Sequence, residues 1–219
     1  PDQWRRDMPD TDAASASKLA WLRILLWAVA LTAGVASLIY YGSKNSKPDS
    51  TSSSYASAFG GAFELVAPDG AKVTDQSLAG KPYAIFFGFT RCPDVCPTSL
   101  ARMARLRKSL EADGLKFNIV FVSVDPEHDK PADIGSYVEL FGTPIIGLTG
   151  SQAQLAKIKK GFGVYVKRVP MDPAKPNGDY TIDHTAAIYL MSAKGEFVST
   201  IDHAEADTVA LEKLKRIIG

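Results

Sequence analysis

The chain has 219 residues, with 25 Lys plus Arg against 24 Asp plus Glu and three His, a formal net charge of +1 at pH 7. That balance, without any basic run interleaved with aromatics, gives no footing for nucleic-acid binding. Two cysteines are too few for a disulfide framework, and the length suits one medium domain with appendages.

Residues 1–18 are polar and are expected to form a cytoplasmic tail. Residues 24–41, ILLWAVALTAGVASLIYY, carry no charge. A run of about 20 apolar residues at about 1.5 Å per residue crosses a hydrocarbon core. A cleaved signal peptide is the competing reading, but signal h-regions run roughly 7–15 residues. This run is longer and ends in bulky Ile39, Tyr40 and Tyr41. An uncleaved transmembrane anchor over residues 19–42 is therefore expected, in contact with the lipid bilayer. Arg5, Arg6, Lys18 and Arg23 precede the apolar run 24–41 and only Lys44 and Lys47 follow closely, which puts the N-terminus in the cytoplasm. Residues 43–58 are Ser-rich and read as a flexible linker.

From residue 59 onward, strands and helices alternate. Ala84–Phe89 reads as a buried strand, followed by Cys92-Pro-Asp-Val-Cys96-Pro and a helix with Leu100, Met103, Leu106 and Leu110 on one face, stopped by Gly114. Phe117–Val124 is a second strand. Pro131–Leu140 and Ser151–Lys160 are helices. Thr185–Met191 and Phe197–Ile201 form a hairpin about Lys194-Gly195, and Ala206–Ile218 is a closing helix. The order predicts a small α/β sheet between helices, with the cysteines where the first core strand feeds its helix.

A cysteine at a helix N-terminus feels the positive end of the macrodipole, which favours the thiolate, both nucleophile and metal ligand. Asp94 is a candidate cap for this helix, but its charge works against thiolate formation, so both uses of the pair stay open. Two thiolates under-coordinate most metals, so a third ligand must come from elsewhere. His128, in a polar loop, and His203, before the last helix, read as surface residues. His184 stands directly before a buried strand and is the candidate that can meet the cysteine loop. Cys92, Cys96 and His184 would form a two-thiolate, one-imidazole site suited to copper and also to zinc. Asp183 reads first as a loop-solvating or helix-capping residue, with orienting His184 or adding a weak fourth ligand as the alternative, and Asp125 and Asp129 read as turn residues.

Three segments together, FFGFTRCPDVCP, FVSVDPEHDKP and DYTIDHTAAIYLM, resemble the Sco/SenC family of copper proteins over roughly residues 59–219. The resemblance implies a thioredoxin-like fold with extra elements. It implies copper, Cu(I) or Cu(II), bound by Cys92, Cys96 and His184, and a role in building the CuA centre of cytochrome c oxidase subunit II. It also implies that the segment from Val169 to Ile182 is a long loop before the ligand histidine, able to move it. Two functions follow. The first is a membrane-tethered metallochaperone, which needs an upstream copper donor and subunit II as recipient. The second is a thiol–disulfide oxidoreductase that reduces the recipient's cysteines through Cys92 and Cys96, and it needs a thiol reductant such as a thioredoxin-like protein. The anchor's orientation fits a bacterial inner membrane with a periplasmic domain, or a mitochondrial inner membrane facing the intermembrane space.

Overall fold

The computed structural model describes Trp21, residues 25–37 and residues 59–219. The chain divides into two units, one ending at Ser50 and the other starting at Thr51. Of the anchor expected over 19–42, Trp21 and residues 25–37 are helical and exposed. Among the described residues no helix is long and apolar enough to cross a membrane. The expected tail, 1–18, and linker, 43–58, lie outside the described residues.

The second unit begins with a small hairpin, β1 (Glu64–Val66) and β2 (Lys72–Thr74), and a one-turn helix α1 (Asp75–Leu78). Then come β3 (Tyr83–Gly88), α2 (Val95–Ala112), β4 (Asn118–Ser123), α3 (Pro131–Glu139), β5 (Ile145–Leu148) and α4 (Gln152–Phe162). A second hairpin, β6 (Val166–Pro170) and β7 (Tyr180–His184), precedes β8 (Ile188–Met191), β9 (Phe197–Ile201) and α5 (Asp207–Ile218). The central sheet has the order β5-β4-β3-β8-β9. β3, β4 and β5 run parallel, and β8 and β9 are antiparallel. This is the α/β, thioredoxin-like architecture expected.

Every residue of β3 is buried, as a strand covered on both faces requires. One face carries Phe87 and Tyr189, whose rings meet Phe162 of α4. The other carries Phe86, Gly88 and Phe121; Phe121 meets Tyr137 of α3, and Gly88 faces Cys96 of α2. The sheet is therefore a middle layer, with α2 and α3 on one side and α4 on the other. Burial of each such aromatic contributes about 1.5–3 kcal/mol.

Of the expected long loop between Val169 and Ile182, residues 171–179 lie outside any strand. Its ends belong to the β6–β7 ladder, with Val166 opposite His184 and Pro170 opposite Tyr180, so that only the tip lies outside it. The strand expected from Thr185 starts only at Ile188, and β1, β2, β5, β6 and β7 were not read from the sequence.

β5 and α3 meet at a residue without a side chain. A Cβ on Gly147 would stand 2.6 Å from Ile134 Cγ2, and Ile134 is fully buried. Gly147→Ala should lower the urea midpoint, at a cost of about 1–3 kcal/mol for overpacking. An unchanged midpoint would mean that α3 shifts freely.

Candidate metal centre

Strand direction assembles the site. β3 and β4 run parallel with Gly88 opposite Ser123, so the cysteine loop and the loop from Val124 to Lys130 leave the same edge of the sheet. β8 runs antiparallel to β3 with Ile188 opposite Phe86, which brings the segment after His184 to that edge as well. Ligands bind at the carboxyl ends of strands in such sheets.

Cys92 and Cys96 are both free thiols. α2 starts at Val95, so Cys96 lies in its first turn, fully buried, while Cys92 is half-buried in the turn before it. The Cys96 backbone N–H donates to Cys92 Sγ at 3.5 Å. Cys96 Sγ lies 3.6 Å from His184 Nε2. His184 is the last residue of β7. Its Nδ1 lies 3.0 Å from the Thr185 carbonyl oxygen. That oxygen only accepts, so Nδ1 carries the proton and Nε2 presents its lone pair to the Cys96 thiol. The imidazole stands edge-on to Phe86 and Phe89, with centroids 6.1 and 5.9 Å away.

The macrodipole argument for a thiolate does not hold at Cys96. Burial pushes its thiol well above the ordinary cysteine range, against a backbone hydrogen bond from Phe89 that lowers it, and neighbouring Cys92 adds to the rise. Burial also lowers the His184 pKa, with the Thr185 carbonyl and Asp183 opposing. The metal-free pair is a neutral thiol beside a neutral imidazole.

The pair's spacing suits an ion between the two atoms. With bonds of about 2.3 Å to sulfur and about 2.0 Å to nitrogen, a 3.6 Å separation gives an angle of about 115°, between tetrahedral and trigonal. Among the described residues, no group of three His, Cys, Asp or Glu side chains is already gathered closely enough to hold an ion. The fold thus brings Cys96 and His184 together and leaves Cys92 beside them.

Asp94 and Asp183 take minor parts here. Asp94 occupies the N-cap position, but its side chain makes no capping hydrogen bond. Its carbonyl instead accepts from the Thr98 N–H and hydroxyl at 3.1 and 2.8 Å. Asp183 alternates to the exposed face of β7, and the acceptor that fixes the imidazole is Thr185. His203 is exposed, as expected.

Asp125 and Asp129 are more than turn residues. Both are buried. Asp129 accepts from the Thr90 N–H and hydroxyl at 2.9 and 2.6 Å and from Ser123 Oγ at 2.5 Å, which fixes the chain two residues before Cys92. Asp125 accepts from Arg91 and Tyr180. Nothing local in the sequence marks the contacts of Asp125 with Arg91 and Tyr180, which lie 34 and 55 positions away.

A family described as SCO1/SenC matches residues 51–219. The chain belongs to the SCO1/SenC family. It is 46% identical to Bradyrhizobium japonicum ScoI, solved with copper bound, covering 73% of this chain and 99% of that one with a TM-score of 0.65. It is 32% identical to yeast Sco1, also solved with copper bound, covering 73% and 87% with a TM-score of 0.66. The mitochondrial SCO1 homolog 1 of Arabidopsis thaliana is 39% identical over 142 residues, 64% of this chain and 41% of that protein. The chain spans 41% to 59% of the length of this and two yeast SCO relatives.

Brief treatment with iodoacetamide at about neutral pH should alkylate Cys92 and leave Cys96 unmodified until denaturant is added, as peptide mass spectrometry would read. Gly88→Ala, whose Cβ would stand 2.8 Å from Cys96 Sγ, should expose Cys96 to the reagent. Equal rates at both cysteines of the parent would contradict the burial of Cys96.

Proposed function

We propose that this protein is a copper metallochaperone that holds one copper ion through Cys92, Cys96 and His184 and passes it on by ligand exchange. The 3.6 Å approach of Cys96 Sγ to His184 Nε2 carries the reading. A dithiol enzyme has no need of an imidazole there, whereas a soft-ligand ion site does. Two SCO1/SenC relatives solved with copper support the choice of copper over zinc. Cys92 turns inward to complete a three-coordinate site, and its partial exposure gives an incoming ligand a way in. Thr185 keeps Nε2 unprotonated, so His184 binds without losing a proton, while each thiol loses one.

The recipient in this reading is subunit II of cytochrome c oxidase, at its CuA site, with an upstream protein as donor. The apolar run within 19–42, exposed along its described helix, serves as the anchor. It tethers the copper domain to the membrane of the oxidase and raises its effective concentration there. The domain faces the periplasm of a bacterium, or the intermembrane space in a mitochondrion.

A half-buried Cys92 in front of a buried Cys96 also favours a second reading, thiol–disulfide exchange. Cys92 would attack a target disulfide, and Cys96 would resolve the mixed disulfide. The target leaves as a dithiol and Cys92–Cys96 as a disulfide, which an external thiol reductant must restore.

Titrating the reduced chain with Cu(I) under anaerobic conditions, against a competing chelator, separates the two. One copper per chain is expected. Cys96→Ser and His184→Ala should each weaken it by more than about 100-fold, since even the loss of an outer-shell partner costs about 10–100-fold. Weak binding indifferent to His184, with rapid reduction of a model disulfide, would leave the redox enzyme.

A further inference from the structure

The hairpin that carries His184 is a separate two-stranded sheet with no ladder to the central one. Such a hairpin is marginal alone, so side-chain anchors set its position. Tyr180, Ile182 and His184 alternate on its inner face. At the His184 end, backbone hydrogen bonding joins Thr185 to Tyr165 within the hairpin itself. At the other end, Tyr180 Oη donates to Asp125 Oδ1 at 2.7 Å. Asp125 is fully buried, and its second oxygen accepts from Arg91 Nη2 at 3.2 Å. Arg91 directly precedes Cys92. One buried carboxylate therefore grips both segments that bear the candidate ligands.

Neighbouring groups complete the grip. His128 Nδ1 lies 2.9 Å from Tyr180 Oη, 2.9 Å from Arg91 Nη2 and 3.1 Å from Asp125 Oδ2. The guanidinium groups of Arg91 and Arg168 lie 5.4 and 4.6 Å from the centre of the Tyr180 ring. Arg168 also pairs with Glu127 at 2.5 Å, but both side chains are about half exposed, and such pairs contribute little. The hydrogen bond to a buried charge is the stronger tie.

We propose that Asp125 and Tyr180 are positioning residues for the metal site, a clamp that holds the β6–β7 hairpin so that His184 faces Cys96. The inference rests on the reading of Cys96 and His184 as ligands. Tyr180 stands four residues from His184, about 13 Å along an extended strand. Releasing this end lets β7 rock about the buried Ile182 and draw the imidazole off the sulfur.

The test uses the full chain, reduced and anaerobic, with Cu(I) against a chelator, for the parent, Tyr180→Phe, His184→Ala and the double variant. Amide hydrogen exchange of the metal-free parent and Tyr180→Phe is followed alongside. Tyr180→Phe should weaken Cu(I) by about tenfold, the scale of one hydrogen bond to a charge. The double variant should bind as His184→Ala does, because the clamp acts through the imidazole. Amides of β7 should exchange faster in Tyr180→Phe while those of β3 and β4 stay as in the parent. Three results would each overturn the clamp: unchanged affinity in Tyr180→Phe, an equal further loss in the His184→Ala background, or unchanged exchange in β7. If His184→Ala alone leaves the affinity untouched, the ligand reading fails, and exchange in β7 decides the clamp by itself.

Discussion

A sulfur atom occupies the space where any residue but glycine would place its Cβ at position 88, 2.8 Å from Cys96 Sγ. The centre depends on that close approach. It lets the first turn of α2 press its buried cysteine onto the end of β3, beside the rings of Phe86 and Phe121 that a Cβ at Gly88 would also crowd. Because β8 runs back along β3 from the same edge, the chain entering it delivers an imidazole to the sulfur's other side. Packing thus decides the chemistry, since it is the absence of water that keeps the Cys96 proton on.

The polar framework around this apolar pocket is built from carboxylates. Burial would raise the Asp125 carboxyl, but hydrogen bonds from Tyr180 and Arg91 and the neighbouring His128 outweigh it and hold its pKa below the ordinary value. Asp125 therefore stays charged. Asp129 adds to the pressure that keeps the Cys96 thiol neutral. A monovalent or divalent soft cation entering the proposed site would relieve that pressure, because it supplies positive charge near the buried Asp129 carboxylate. The same surroundings that disfavour a bare thiolate favour a metallated one.

Much of the centre was legible in the sequence, and what was not has physical reasons. The Cys92–Cys96 turn, the strand before it and the helix after it are local features, carried by an apolar run, two prolines and a helical repeat. His184 was singled out by its position before an apolar strand. The macrodipole expectation for Cys96 failed because a helix N-terminus says nothing about water access, and burial decided the matter. Asp94 stands at the N-cap, yet its side chain makes no capping bond and its carbonyl accepts only from Thr98, as the first helical bond requires. The stretch from Val169 to Ile182 looked irregular because its prolines mask short strands at either end. The contacts of Asp125 with Arg91 and Tyr180 join distant parts of the chain, and no local pattern announces them.

The strict alternation of β7 has an evolutionary consequence. The tip between Pro170 and Tyr180 lies outside the ladder, so insertions and deletions there leave the phase of β7 intact. A single residue gained or lost inside Tyr180–His184 is another matter, because with Tyr180 held in place it turns the side chains beyond it to the opposite face. Asp183 would then face the sulfur and His184 the solvent. In the proposed site, a hard carboxylate would then replace a borderline imidazole beside a soft thiol, a donor set less suited to copper. The length of the tip is free to drift over generations, whereas the parity of the strand decides whether His184 faces Cys96.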